Sequence, residues 1–225
     1  MFDSLMSSEF DLKKDIIRFG QRLAERQMVA GSDGNISARI DETQIVITPS
    51  GFAKGRLEID DLVVVDMSGR VIKGKHQPSS EIAMHLFTYQ QRPDIGACIH
   101  AHPPYATAFA VAGVKLESDI LPEVVVFVGD IPLTAYAPPG TEAVPKALAP
   151  YIEKNSAFLL SNHGLLTIGR TLAEAYNRHE TVEQYARIIH LARQLSPDIR
   201  HIPSADYERL VALQRQLAAN KLEDD

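Results

Sequence analysis

Short β-rich runs, each closed by turn-forming residues, recur along much of this chain, and their spacing constrains the fold more than any other feature. Gln44 to Thr48 is closed by Pro49-Ser50-Gly51, and Leu62 to Asp66 and Arg70 to Ile72 flank Met67-Ser68-Gly69 in the pattern of a hairpin. Ala97 to His102, Val124 to Val128, Ile131 to Tyr136, Ala157 to Leu160 and Leu165 to Ile168 read as further strands, the last two around the polar turn Ser161-Asn162-His163-Gly164. Helical patterns stand before, between and after these runs. Leu12, Ile16, Phe19, Leu23 and Met28 recur at spacings near three and four, so about residues 12–29 read as an amphipathic helix ending at Gly31. Gly31 to Ser37 follows as a cluster of turn formers.

Ser79-Ser80 and the acidic Glu81 mark the start of a helix that runs to about Gln91, and Pro104 and Gly113 bracket another. Thr141 to Glu153, Leu172 to Leu195 and about residues 205–217 are further helices. Strands joined by hairpins with helices around them predict an α/β domain of three layers, α/β/α, on a largely antiparallel central sheet. No linker, repeat or low-complexity tract divides the 225 residues, so one domain over 1–225 is expected.

The formal charge of -6 is spread along the chain without a basic face or tail, which argues against nucleic acid as a partner. Met1 to Met6 carries no basic stretch followed by an apolar run, and no window approaches the length of a membrane span, so a cytoplasmic location and no membrane partner are expected. Cys98 is the single cysteine; it excludes an internal disulfide and reads as a small buried hydrophobe.

His100 and His102 lie two apart on a predicted strand, so both project from one face, about 6.6 to 7 Å apart at the backbone. That spacing suits two imidazoles on one metal ion, although His-x-His alone is also met by chance or in a satisfied core pair. His163 stands in a turn between two strands, where a third ligand can be presented. Three imidazoles with an open position is the form of a catalytic zinc site, and one cysteine is too few for the usual structural zinc. Glu81, at the first turn of its helix, reads on its own as a capping or dipole-compensating carboxylate. The serines before it and the exposed N–H groups of that turn also form an anion site, to which Asn35 and Ser50-Gly51 could add donors.

Five blocks in order carry a resemblance: Asp33-Gly34-Asn35-Ile36-Ser37, Ile47-Thr48-Pro49-Ser50-Gly51, Lys75-His76-Gln77-Pro78-Ser79-Ser80-Glu81, Ile99-His100-Ala101-His102-Pro103 and Asn162-His163-Gly164. Through them the chain resembles the class II aldolase/adducin family over about residues 12–195. The resemblance implies that His100, His102 and His163 ligate Zn2+, with Mn2+ or Co2+ as possible substitutes, and that Glu81 is the acid/base, able to approach the metal when substrate is absent. It implies that Gly34, Asn35, Ser50, Gly51, Ser79 and Ser80 hold a substrate phosphate. It further implies reversible cleavage of a phosphorylated ketose, of the L-fuculose 1-phosphate kind, to dihydroxyacetone phosphate and an aldehyde, in a homotetramer with active sites at subunit interfaces. The chemistry agrees, because the difficult species of an aldol cleavage is the enediolate of the ketone fragment, whose developing charge a Lewis-acidic ion stabilises.

Around Leu121-Pro122-Glu123-Val124-Val125 the family's aldolases would be expected to carry a tyrosine that protonates the leaving aldehyde oxygen, and none is present. Glu123 is the one ionisable side chain there, either the replacement or a solvated loop carboxylate. Tyr207 does not align with the family's C-terminal tyrosine. A sugar-phosphate 4-epimerase would show aspartate where Glu81 stands and another near Val125. A decarboxylase or dehydratase of a phosphorylated sugar acid or ketose would keep the histidines and the glutamate. A non-catalytic, adducin-like interaction domain would lack the full metal set that this chain retains.

Overall fold

The computed structural model describes residues 8–223; the Met1 to Met6 segment lies outside them. Its strands are β1 (Asn35–Arg39), β2 (Gln44–Ile47), β3 (Val63–Asp66), β4 (Val71–Lys73), β5 (Ala97–Ala101), β6 (Ala157–Leu160) and β7 (Gly164–Gly169). They form one sheet in the order β4-β3-β2-β1-β5-β7-β6, with every neighbouring pair antiparallel. The helices are α1 (Glu9–Glu25), α2 (Ile82–Gln91), α3 (Pro104–Ala112), α4 (Pro122–Phe127), α5 (Ala143–Leu148), α6 (Leu172–Leu195) and α7 (Ser204–Glu223), with 3-10 turns at Lys54–Arg56 and Ile59–Asp61.

The side-chain period of two divides the sheet into two faces. Ile36, Ala38, Val46, Val64, Ala97 and Ile99 pack with Ile16, Phe19 and Leu23 of α1 and with Leu172 and Tyr176 of α6. Ile45, Ile47, Val63, Val65, Cys98, Leu166 and Ile168 pack on the other side with Met84 and Tyr89 of α2 and Val144 and Leu148 of α5. A third cluster joins Phe109 of α3, Val124 of α4 and Val182 and Tyr185 of α6 to Leu159 and Leu165. Each large apolar side chain fully buried in this way contributes about 1.5–3 kcal/mol. Helices on both faces of an antiparallel sheet are the three layers expected.

The same alternation settles where polar groups go. Asn35 and Ser37 on β1, and Cys98 and His100 on β5, all face α2, and Asn35 pairs directly with His100 in the ladder. Cys98 is buried, and burial pushes its thiol up to about 12, so it is an inert core group.

Five sequence expectations are corrected. The Val124–Val128 run, read as a strand, lies in α4 and its cap: Pro122 sits in the first turn, and Val124, Val125 and Val126 are buried as helix residues, so tertiary packing overrides β propensity. Ile131 to Tyr136 makes only isolated bridges to Leu116 and Leu159, because Pro132 has no N–H for a ladder. The helix expected over Thr141–Glu153 is limited to Ala143–Leu148, since Pro150 cannot donate to the preceding turn. Gly31 to Ser37 is not turn throughout, for β1 begins at Asn35. The first helix also sits earlier than expected: Ser8 caps it, and Gln27, at φ 58°, follows its end.

Candidate active site

His100 is fully buried at the end of β5, and its Nδ1 donates to the Leu165 carbonyl of β7 at 3.0 Å. With Nδ1 engaged, Nε2 is the nitrogen left to face the cluster. His102 continues the strand on the same side, and its Nε2 lies 3.2 Å from His100 Nε2. His163 arrives from the turn between β6 and β7, where Asn162 adopts the left-handed conformation at φ 54° and Ser161 Oγ donates to the Thr134 carbonyl at 2.5 Å. Its Nε2 is also 3.2 Å from His100 Nε2. The three rings meet edge to face, with centroids 4.6 to 5.1 Å apart.

Glu81 occupies the N-cap position of α2 but makes no capping bond with its side chain. The capping role read from its position is thereby excluded, and the carboxylate turns instead into the histidine cluster. Oε2 is 3.3 Å from His100 Nε2, and Oε1 is 3.2 Å from His163 Nε2. Asn35 Nδ2 donates to Oε2 at 2.8 Å, whereas Oε1 is buried without a hydrogen-bond partner. Burial alone would push the Glu81 carboxyl up, but His100 and His163 outweigh it and hold the group well below the usual carboxylate range. Burial, then His100 and His163, push His102 down to about 4, so its ring is neutral near pH 7.

This arrangement fits a divalent ion. His100 Nε2, two further imidazole nitrogens and a carboxylate cluster within a few ångströms of one another, a donor set that a cation would satisfy. Bonds of about 2.0–2.1 Å at tetrahedral angles place ligand atoms about 3.3 Å apart, close to the spacings here. The candidate set is His100, His102 and His163, whose ligand atoms lie within 4.8 Å of one another.

Several supports surround the histidines, among them residues beyond the expected set. Asp33 Oδ2 is 3.5 Å from His102 Nδ1, close enough to orient that ring. A Cβ on Gly164 would lie 2.5 Å from His102 Cδ2 and 3.3 Å from His100 Cε1, so only glycine leaves the rings room. Gly34, at φ 74°, backs onto the His100 carbonyl, which a Cβ would approach to 2.7 Å. Glu183 of α6 accepts from the Tyr105 and Ala106 N–H groups at 3.0 and 2.8 Å, anchoring α3 directly after His102. Asp33 and Gly164 stand inside the quoted motifs and were open to a sequence reading; Glu183 had no local signal.

The anion-site residues fall on adjoining loops. Ser50 N donates to the Gln77 carbonyl at 3.0 Å and Ser79 N to the Thr48 carbonyl at 3.1 Å, which joins Ser50-Gly51 to Ser79-Ser80. Ser79 Oγ accepts from Glu81 N at 3.3 Å, tying that pair of loops to the acid/base candidate. Lys54, buried, donates to the Ser32 and Phe52 carbonyls at 2.7 and 2.5 Å and links the Asp33-Gly34 turn to the Ser50-Gly51 loop. Asn35 is engaged with Glu81 rather than turned wholly to the loops. Glu123 is not brought to the histidines: it lines a separate depression of about 230 Å³ with Leu121, Glu180 and Tyr185. No helix among the described residues is long and apolar enough to cross a membrane.

With this geometry established, comparison with known proteins is direct. The family model for the class II aldolase and adducin N-terminal domain matches residues 14–190. An L-fuculose phosphate aldolase of Methanococcus vannielii is 38% identical over 178 residues, covering 79% of this chain and 95% of the relative. A 3-oxo-tetronate 4-phosphate decarboxylase of Pectobacterium atrosepticum is 31% identical over 212 residues, covering 92% and 96%. A solved structure of an L-fuculose 1-phosphate aldolase superposes with a TM-score of 0.83 at 34% identity, covering 93% of this chain and 98% of that one.

Proposed function

This chain belongs to the class II aldolase and adducin family, and from that premise we propose that it is a metal-dependent lyase acting on a phosphorylated sugar. The reaction proposed is reversible aldol cleavage of a ketose 1-phosphate of the L-fuculose 1-phosphate kind to dihydroxyacetone phosphate and an aldehyde. The observation that carries the reading is the cluster in which the Nε2 atoms of His102 and His163 each lie 3.2 Å from His100 Nε2 while the Glu81 carboxylate approaches His100 and His163 at 3.3 and 3.2 Å.

His100, His102 and His163 would hold the ion, Zn2+ by the chemistry of the donor set, with Mn2+ or Co2+ as substitutes. When bound it supplies Lewis acidity toward the substrate's oxygens. The rest falls to this chain's own side chains. Glu81 carries the proton between the substrate hydroxyl and the carbon that takes the electron pair of the breaking bond. Asn35 keeps that carboxylate turned toward the histidines. Ser50, Gly51, Ser79 and Ser80, with Gly34 shaping the neighbouring turn, hold the phosphate, so binding energy far from the reacting carbons fixes their position.

One observation favours a second reading. Glu123 stands apart from the histidines, so beyond Glu81 the described residues offer no identified group at the oxygen that becomes the aldehyde, to share in taking its proton in cleavage or to return it in condensation. Decarboxylation of a phosphorylated 3-oxo acid releases CO2 and needs no such group. Under the aldol reading, a neighbouring copy in a homotetramer supplies it. Incubating zinc-loaded protein with a panel of ketose 1-phosphates and 3-oxo acid phosphates, scored for dihydroxyacetone phosphate and for CO2, separates the two. Turnover of neither class, or stoichiometric zinc failing to bind, overturns the proposal.

A further inference from the structure

Behind Glu81 a line of buried polar groups runs along the α2 side of the sheet, and the mechanism above uses only its first member. Asn35 Oδ1 lies 2.5 Å from His85 Nε2, His85 Nδ1 lies 2.6 Å from Ser37 Oγ, and Ser37 Oγ lies 2.8 Å from the Tyr89 hydroxyl. His85, Ser37 and Tyr89 are all buried. His85 follows Glu81 by four residues, so both stand on one side of α2, and Asn35 and Ser37 are alternate residues of β1 facing it.

The direction of every bond in this line is fixed by its first acceptor. An ionised carboxylate only accepts, so Asn35 must present its NH2 to Glu81 and its carbonyl to His85. That carbonyl also only accepts, so His85 must donate from Nε2 and keep a lone pair on Nδ1. Ser37 must then donate its hydroxyl proton to Nδ1, and its oxygen accepts from Tyr89. No member can reverse without leaving a buried polar group unpaired, a desolvation cost that keeps the line in one direction. Burial, followed by the influence of His100, pushes His85 down to about 3, consistent with the neutral ring this line requires.

We propose that His85, braced by Ser37 and Tyr89, is a positioning residue for Glu81: through Asn35 it holds Oε2 as an acceptor and leaves Oε1 facing the histidines for proton transfer. The alternative is a polar cluster that merely satisfies itself in the core. Only the positioning role makes the effect of His85 depend on the carboxylate of Glu81. The kinetic part of this inference rests on Glu81 being the acid/base of the proposed function; the bond directions do not.

The test is a double-mutant cycle with a spectroscopic control. His85→Leu should lower kcat at least tenfold, with KM and zinc stoichiometry changed less than about twofold, a loss of the size met when partners of site residues are removed. In a Glu81→Gln background the same substitution should change the residual rate less than about twofold. Ser37→Ala, a smaller change, serves as the second variant should His85→Leu fail to fold, and should show the same dependence on Glu81. Imidazole 15N spectra of the zinc-loaded protein should show His85 as the Nε2–H tautomer, neutral from about pH 5 to 8. Equal losses in both backgrounds, or an Nδ1–H tautomer, would overturn the proposal. If no substrate is turned over, the proposed function fails, and the tautomer still decides whether the line of bonds is real.

Discussion

A Cβ placed on Gly164 would lie 2.5 Å from Cδ2 of His102 and 2.6 Å from the Ala101 carbonyl. The second contact is with backbone, which cannot step aside as a side-chain tip does. Gly164→Ala should therefore displace the His102 ring and lower metal affinity about 10- to 100-fold, with circular dichroism little changed. Undiminished affinity in a chelator competition would show that the rings have slack.

Ligand and acid/base roles are separable by one comparison. His102→Ala should lose bound metal and turnover together. Glu81→Gln should retain metal and substrate binding while kcat falls about 10²- to 10⁴-fold. If instead Glu81→Gln lost metal in proportion to rate, the carboxylate would be an obligatory ligand.

Acid should destabilise the metal-free protein earlier than its carboxylates alone would. His85 and His179 are both buried and pushed down to about 3, by burial first and then by neighbouring histidines. For each, the unfolded chain takes up a proton from about pH 6.5 downward while the folded chain does not. Their stabilising effect is thus intact above that pH and is lost as pH falls toward 3, at up to about 1.4 kcal/mol per pH unit each. Urea unfolding at a series of pH values should show this slope between pH values of about 6 and 4, and His179→Leu should flatten it. A slope unchanged in that variant would exclude His179 as a contributor.

The shared-site reading predicts that assembly matters for the reaction and not for the metal. Here α7 packs against α4 of its own chain, where the Gln214 side chain lies close to Gly129, and Leu213 and Leu217 remain partly exposed. Truncation after Pro203 should lower activity while leaving the metal in place. Light scattering that finds a fully active monomer would return the search for the proton donor to this chain.

The parts legible in sequence were those whose signal is local. His100-Ala101-His102 needed only the period of a strand, and α3 and α6 announced their bounds through Pro104, Gly113 and the run from Leu172. β1 was obscured because Asn35 and Ser37, polar residues of turn-forming type, face inward and are satisfied by α2, a partner some fifty residues away in sequence. α4 was mistaken for a strand because three valines favour β structure until burial decides. Glu81 shows the limit most clearly: its position at the start of a helix suggested a cap, and only the tertiary fold turns it to the histidines.

Lys54 joins two loops through a single ammonium, with Ser32 on one side and Phe52 on the other. Loops that bind anions commonly lose freedom when the ligand arrives, and that loss subtracts from affinity. Here the two turns share an anchor beneath them, so, if they hold the proposed phosphate, much of their freedom should already be surrendered when the chain folds. The expected signature is backbone order parameters for Ser32 to Gly34 and Ser50 to Phe52 that are already high without ligand and change little when phosphate is added.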